Sequence, residues 1–202
     1  MRIVAGEFRG RSIDAPAGEG TRPTTDRVRE ALMSSLYSQL GGFEDQRVLD
    51  AFAGSGALGL EALSRGALHA DFYETAKPAY RTLQANIVSC GLGAERASAY
   101  NADVLRAFSA EGGPSRGGAG MPYTLVFLDP PYAFGVQATV ALVDRLRDAG
   151  VLADDAVICY EHDMKDARGI EEAFAGWEVV STRKYGKTGI TLLRMPEGGD
   201  RA

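Results

Sequence analysis

From residue 47 onward the chain alternates short apolar runs with stretches of helical period, and this alternation limits its possible folds more than any other feature. The apolar runs are residues 47–53, 70–74, 97–101, 123–128 and 156–160. Between and after them, residues 57–65, 78–90, 136–149 and 170–174 read as helices. Strands regularly separated by helices need crossover connections, which make neighbouring strands parallel and cover both faces of the sheet with helices. Residues 178–185 and 189–195 read as two further strands joined at Gly186, which predicts a seven-stranded, mostly parallel sheet with an antiparallel edge. Ahead of the alternation, Val28, Leu32, Leu36 and Leu40 form one ridge of a helix that Thr24 or Thr25 can cap and Gly41-Gly42 ends. Ile3, Phe8 and Ile13, with turn points at Gly6 and Gly10, predict a small hairpin. Residues 1–23 are therefore expected to be a β-hairpin followed by a turn-rich, mobile loop, and residues 24–202 one α/β domain.

The segment VLDAFAGSGALGLE, residues 48–61, runs a buried strand into Gly54-x-Gly56-x-x-Gly59 and then a helix. Glycines here let a ligand approach the backbone at a helix N-terminus. Glu74 ends the next strand, placed to accept hydrogen bonds from ribose hydroxyls. The arrangement predicts a nucleoside cofactor. A nicotinamide dinucleotide would set its pyrophosphate on the turn, whereas S-adenosylmethionine needs an acceptor for a cationic amino acid end. Asp50 modestly favours the second. Asp103 reads equally well as an adenine-side contact or as the cap of a following helix.

The second motif is LVFLDPPY, residues 125–132, in which an apolar strand delivers Asp129, Pro130, Pro131 and Tyr132 to the same sheet edge. Two prolines lack N–H groups and have fixed φ angles, so the corner is stiff and presents carbonyl oxygens. A planar amine needs two acceptors for its hydrogens, and the Asp129 carboxylate and Pro130 carbonyl can supply them. Such acceptors pull the nitrogen toward tetrahedral geometry and aim its lone pair at a methyl group, while Tyr132 offers a stacking face. Catalysis of that kind is orientation and electrostatics. The corner alone does not separate guanine, adenine and glutamine amide.

Together, DAFAGSGALGLEA and FLDPPY resemble the class I S-adenosylmethionine-dependent amino-methyltransferases. More narrowly the chain is similar to the RsmD family, through RIVAGEFRGRSI near the start, RPTTDRVREAL at residues 22–32 and RKYGKTGITLLR at residues 183–194. That family methylates the exocyclic N2 of a guanine in 16S ribosomal RNA. The resemblance implies a Rossmann-like class I methyltransferase fold. It implies cofactor contacts at Asp50, Phe52, Gly54, Gly56, Glu74 and Asp103, with Asp129, Pro130, Pro131 and Tyr132 handling the amine. Ala5 stands where the family often has Gly, and Ala76 where an acid often follows the ribose-binding Glu.

Charge fits this reading only when taken locally. The chain of 202 residues carries a formal net charge of −5. Residues 1–29, however, hold six Arg against four acids. Arg9, Arg11, Arg22, Arg27 and Arg29 in this head, with Arg183, Lys184 and Lys187 near the end and Thr24 beside the base, are the expected RNA contacts. The expected partner is 16S RNA within the 30S subunit or an assembly intermediate, because a modest footprint gains from shape that naked RNA lacks. A target guanine must leave its stack to reach Asp129.

Other features are bland. Cys90 and Cys159 are too few for a disulfide framework, His69 and His162 lack metal-ligand spacing, and residues 111–120 read as a flexible Gly-rich insertion. No apolar run nears the roughly 18 residues of a membrane span, and no apolar signal segment follows Arg2. A cytoplasmic monomer is expected. The competing readings are another amino-methyltransferase, acting on DNA adenine or a protein glutamine, a nicotinamide-dependent oxidoreductase, and a non-catalytic RNA-binding module.

Overall fold

The structure, a computed structural model, describes residues 1–16, 26–108 and 121–196. Seven strands form one sheet: β1 (Arg47–Asp50), β2 (His69–Tyr73), β3 (Ala97–Tyr100), β4 (Tyr123–Leu128), β5 (Leu152–Asp163), β6 (Glu178–Tyr185) and β7 (Thr188–Arg194). Their spatial order is β3-β2-β1-β4-β5-β7-β6. The first five pair in parallel, and β7 runs antiparallel to both β5 and β6. The expected antiparallel edge is thus a hairpin inserted with its second strand inward, leaving β6 outermost.

The helices are α1 (Asp26–Leu40), α2 (Ala57–Ser64), α3 (Lys77–Ser89), α4 (Val104–Ala107), α5 (Val136–Asp148) and α6 (Ala167–Ala173). Alternation along the strands sorts the core into two layers. Val48, Phe72, Phe127 and Cys159 face Leu32 and Leu36 of α1, Leu60 and Leu63 of α2 and Leu83 of α3. Leu49, Tyr73, Val126 and Tyr160 face Val104 of α4, Leu142 and Leu146 of α5 and Ile170 of α6. Strand β1 ends at Asp50, short of the expected residue 53, because the chain there enters the glycine turn. Strand β5 is longer than expected, because its far end pairs with β7.

The N-terminal arm has one isolated bridge, Arg2 with Ser12, rather than a full hairpin ladder. Its Ile3, Phe8 and Ile13 nevertheless sit in the same core layer as α1, α2 and α3. Polar contacts hold it there. The fully buried Glu61 of α2 accepts from the Val4 N–H at 2.8 Å and the Ala5 N–H at 3.0 Å. Ser64, one helical turn on, accepts from the Phe8 N–H at 2.9 Å and donates to the Ala5 carbonyl at 2.6 Å. Gly6 has φ +82°, and a Cβ there would overlap the Ser64 carbonyl, so this position, rather than Ala5, requires glycine.

Arg29, expected among the RNA contacts, is buried and is taken out of that group. It pairs with Asp26 at 2.8 Å and Glu61 at 3.6 Å and donates to the Arg2 carbonyl. Its charge ties α1 to α2 and the arm. Removing one partner of such a pair leaves a buried charge uncompensated. Glu61→Ala is expected to lose about 3–5 kcal/mol in a denaturant melt, with faster amide exchange at Val4 and Ala5. Unchanged exchange at both amides would show that Glu61 does not hold the arm.

Candidate active site

Strands β1 and β4 lie side by side in parallel, and Asp50 is in register with Phe127. On either side of this pair the chain order along the sheet runs in opposite directions, from β2 and β3 one way and β5 the other. A crevice forms at the carboxyl ends of strands at such a reversal. The glycine turn after β1 and the Asp129–Tyr132 corner after β4 both open into it.

The glycines of the turn have different tasks. Gly54 has φ +52°, and a Cβ there would meet nothing within 4 Å, so this side of the turn is open. The sites beside Gly56 and Gly59 are filled by Leu83 and by the Phe72 ring. Gly56, expected as a cofactor contact, therefore owes its lack of a side chain to packing and to its φ of +80°.

Carboxylates surround the opening. Asp50 is buried and accepts from the Gly59 N–H at 3.1 Å. Burial pushes its carboxyl up to about 7; the Gly59 hydrogen bond opposes this, and the charges of Asp129 and Glu74 add to it. Glu74, half-buried just past β2, accepts from the Gly54 N–H at 3.0 Å and the Ala76 N–H at 2.7 Å. It thereby clamps the glycine turn to the neighbouring strand. Asp129 is exposed along one side, yet desolvation by the surrounding protein raises its carboxyl to about 6. Pro130 is buried and Pro131 exposed, and Tyr132 opens a 3-10 turn in which the Phe134 N–H donates to the Pro131 carbonyl at 2.8 Å. Phe52 meets Phe134 edge-on at 5.1 Å, joining the two motifs. Asp103 caps α4 by accepting from the Leu105 N–H at 2.9 Å.

Two residues that carry the site were not singled out from the sequence. Asn86 of α3 is buried; its amide donates to the Ser55 carbonyl at 2.9 Å and the Asp14 carbonyl at 3.0 Å, and its oxygen accepts from the Asp14 N–H at 2.8 Å. It ties the glycine turn to the arm. Glu61 is the other. Each is a polar residue on the apolar face of its helix, and that was the available signal.

Of the expected RNA contacts, Arg9, Arg11, Arg27, Arg183, Lys184 and Lys187 are exposed. Arg11 also donates to the Ser89 carbonyl and lies over the Phe8 ring. Arg22 and Thr24 lie outside the described residues, as do the expected cap at Thr25, the loop to residue 23 and the Gly-rich residues 111–120. Cys90 and Cys159 are buried free thiols. Among the described residues no helix is long and apolar enough to cross a membrane.

A seven-stranded sheet of this order, with a glycine turn after β1 and an acidic proline corner after β4, defines a Rossmann-like class I methyltransferase fold. Within that class the chain belongs to the RsmD family: residues 1–194 match the family model described as conserved hypothetical protein 95. It is 36% identical over 200 residues to ribosomal RNA small subunit methyltransferase D of Escherichia coli K12, covering 99% of this chain and 92% of that one. YlbH of Bacillus subtilis is 38% identical over 197 residues, 96% of this chain and 98% of its own. The solved structure of Escherichia coli yhhF superposes with a TM-score of 0.78 at 35% identity, covering 96% of this chain and 97% of that one.

The state of Asp50 has a measurable consequence. Between about pH 4 and 7 an unfolded chain would ionise this carboxyl while the folded chain keeps its proton, so its contribution to stability falls as pH rises through that window. Asp50→Asn lacks this term. Without added ligand, the variant's stability relative to the parent is expected to rise by about 2–3 kcal/mol between pH 5 and 8 in urea melts. A pH-independent difference would mean that the buried carboxyl is not protonated at neutrality.

Proposed function

We propose that this protein transfers a methyl group from S-adenosylmethionine to the exocyclic N2 amine of a guanine in 16S ribosomal RNA. The observation that carries the reading is the convergence of two motifs on one crevice: a glycine turn with two acids, and a stiff corner of acceptors on the adjacent parallel strand. The family relationship to ribosomal RNA small subunit methyltransferase D supports the RNA substrate.

The residues fit the cofactor. The open side of Gly54 admits a ligand against the backbone, Asp50 is a buried carboxylate suited to an ammonium group, and Glu74 lies where a ribose would pass. Phe52 lines the same approach, and Asp103 stands on the adenine side beyond β3. When bound, S-adenosylmethionine supplies a methyl group on a cationic sulfur, the electrophile of the reaction. An ammonium beside Asp50 favours the ionised carboxylate and so offsets the cost of burying it.

On the substrate side, the Asp129 carboxylate and the Pro130 carbonyl accept the two N2 hydrogens, and Tyr132 stacks on the base. The methyl would pass to nitrogen as its bond to sulfur breaks and a neutral thioether leaves, and the nitrogen would give up one proton, which Asp129 is placed to take. With a carboxyl near 6, Asp129 is mostly ionised at neutral pH and remains a competent acceptor. The exposed Arg9, Arg11, Arg27, Arg183, Lys184 and Lys187 contact phosphates, with Arg22 and Thr24 nearer the base. A single chain acting in the cytoplasm on a 30S particle or assembly intermediate is the proposed working form.

Incubation with methyl-labelled S-adenosylmethionine and 30S particles lacking the modification, followed by nucleoside analysis, is expected to place the label in N2-methylguanosine, faster than on protein-free 16S RNA. Label in protein or adenine instead would move the reading to another amine. The role of Asp129 is tested separately. Asp129→Ala and Asp129→Asn are expected to lower the rate about 10²–10⁴-fold while RNA binding survives, and the parent's rate is expected to rise with pH through about 6 and then level. Full activity in both variants would remove Asp129 from the mechanism.

A further inference from the structure

The acceptor corner handles an amine, but an amine alone does not identify a base. Adenine and cytosine carry one too. What separates guanine is its neighbour: the ring N1 beside the N2 amine is a donor in guanine, whereas the ring nitrogen beside the amine of adenine or cytosine is a lone-pair acceptor. A guanine-specific site therefore needs a further acceptor next to the one that engages the amine.

The sheet register places one there. Asp50, Phe127, Cys159 and Leu192 form a continuous row across β1, β4, β5 and β7. Residues directly opposite in a sheet point to the same face, as do residues two apart in one strand. The row two residues further toward the carboxyl edge holds Glu161 of β5, Ile190 of β7 and Arg183 of β6, and continuing the β4–β5 register one residue past its last pair, Leu128 with Tyr160, brings Asp129 beside Glu161. Asp129 and Glu161 are thus lateral neighbours on strands about 4.8 Å apart. Both lie on the face that carries Cys159, and the charges of Glu161, Asp129 and Asp50 all add to the effect of burial in raising that thiol. Glu161 is half-buried.

Resting on the proposed function above, we infer that Glu161 is the specificity-determining residue for guanine, its carboxylate accepting the N1–H while Asp129 and the Pro130 carbonyl accept the N2 hydrogens. The base edge then reads donor, donor and acceptor along the row, N2, N1 and O6. Along that row the protein offers Asp129 for the amine and Glu161 for N1. Adenine or cytosine in the same pose turns a ring lone pair toward the Glu161 carboxylate, an unfavourable contact that guanine avoids.

The test uses the full chain and reconstituted 30S particles carrying one substitution at the guanine that the parent protein methylates. In that position 2-aminopurine keeps the N2 amine but has an N1 lone pair in place of N1–H. Loss of a hydrogen bond to a charged group predicts that the parent prefers guanine over 2-aminopurine by about 10–100-fold in kcat/KM. The isosteric variant Glu161→Gln carries an amide that can accept from N1–H or donate to a lone pair, so its preference is expected to collapse to within a few-fold. The missing O6 affects both proteins alike and cancels in the ratio of ratios, and equal S-adenosylmethionine binding checks that the cleft is intact. Should Glu161→Gln not fold, Glu161→Asp reads the same ratio with the carboxylate withdrawn by one methylene, and a reduced preference is again expected. A preference identical in parent and variant overturns the role of Glu161. Failure of the parent to methylate guanine at all overturns the proposed function instead, and the two results are distinct.

Discussion

Val48, Leu49 and Asp50 pair in parallel with Leu125, Val126 and Phe127, and everything at the site follows from that pairing. Parallel strands leave the sheet on the same side, so the turn after β1 and the corner after β4 must share one edge. Neither motif is close to the other in sequence, and nothing local brings them together. The buried ladder does, and the Phe52–Phe134 contact then fixes the distance between them. Burial at the end of β1 has an electrostatic cost. Asp50 ends a strand with apolar neighbours on both layers, and its carboxyl is ready to be neutral until a cation arrives.

The N-terminal arm depends on that core through polar contacts as well as apolar packing. Helix α2, whose first turn is the glycine turn, holds Val4 and Ala5 through Glu61 and Phe8 through Ser64. Asn86 holds Ser55 and Asp14 at once. An arm proposed to meet RNA is therefore built on the same helix that the glycine turn leads into. The two are joined by hydrogen bonds, and leaving such a buried group unsatisfied is costly.

Much of this was legible in the sequence because it is local. Period-2 and period-3.6 patterns expose strands and helices, and Gly54 and the Asp129–Pro131 run carry backbone constraints that any context must respect. Arg29 was misread for the opposite reason: an arginine among arginines looks like solvated charge, and only tertiary structure shows Glu61 beneath it. Glu61 and Asn86 sit on apolar helix faces, where a lone polar residue needs a buried partner, but the partner's identity is a long-range fact. The inward position of β7 is likewise a matter of strand order, which the alternating pattern does not encode. At Asp103 the sequence is compatible with capping and with ligand contact, and the structure shows the cap.

The acidic character of the chain has a physical explanation in this arrangement. Asp50, Glu74, Asp129 and Glu161 gather at the carboxyl edge of the sheet, while Arg9, Arg11, Arg27, Arg183 and Lys187 are exposed around the molecule. In the proposed reading, a crevice lined with acids would disfavour phosphate and leave an RNA backbone at exposed cations, while a base, which is neutral and carries N–H donors along its edge, would gain by entering. In the same reading Asp50 suits the ammonium of a methyl donor, whereas Glu74 would serve a ribose of either a methyl donor or a dinucleotide. In the proposed reading it is the local distribution of charge, and not the net charge of −5, that bears on the RNA and the methyl donor.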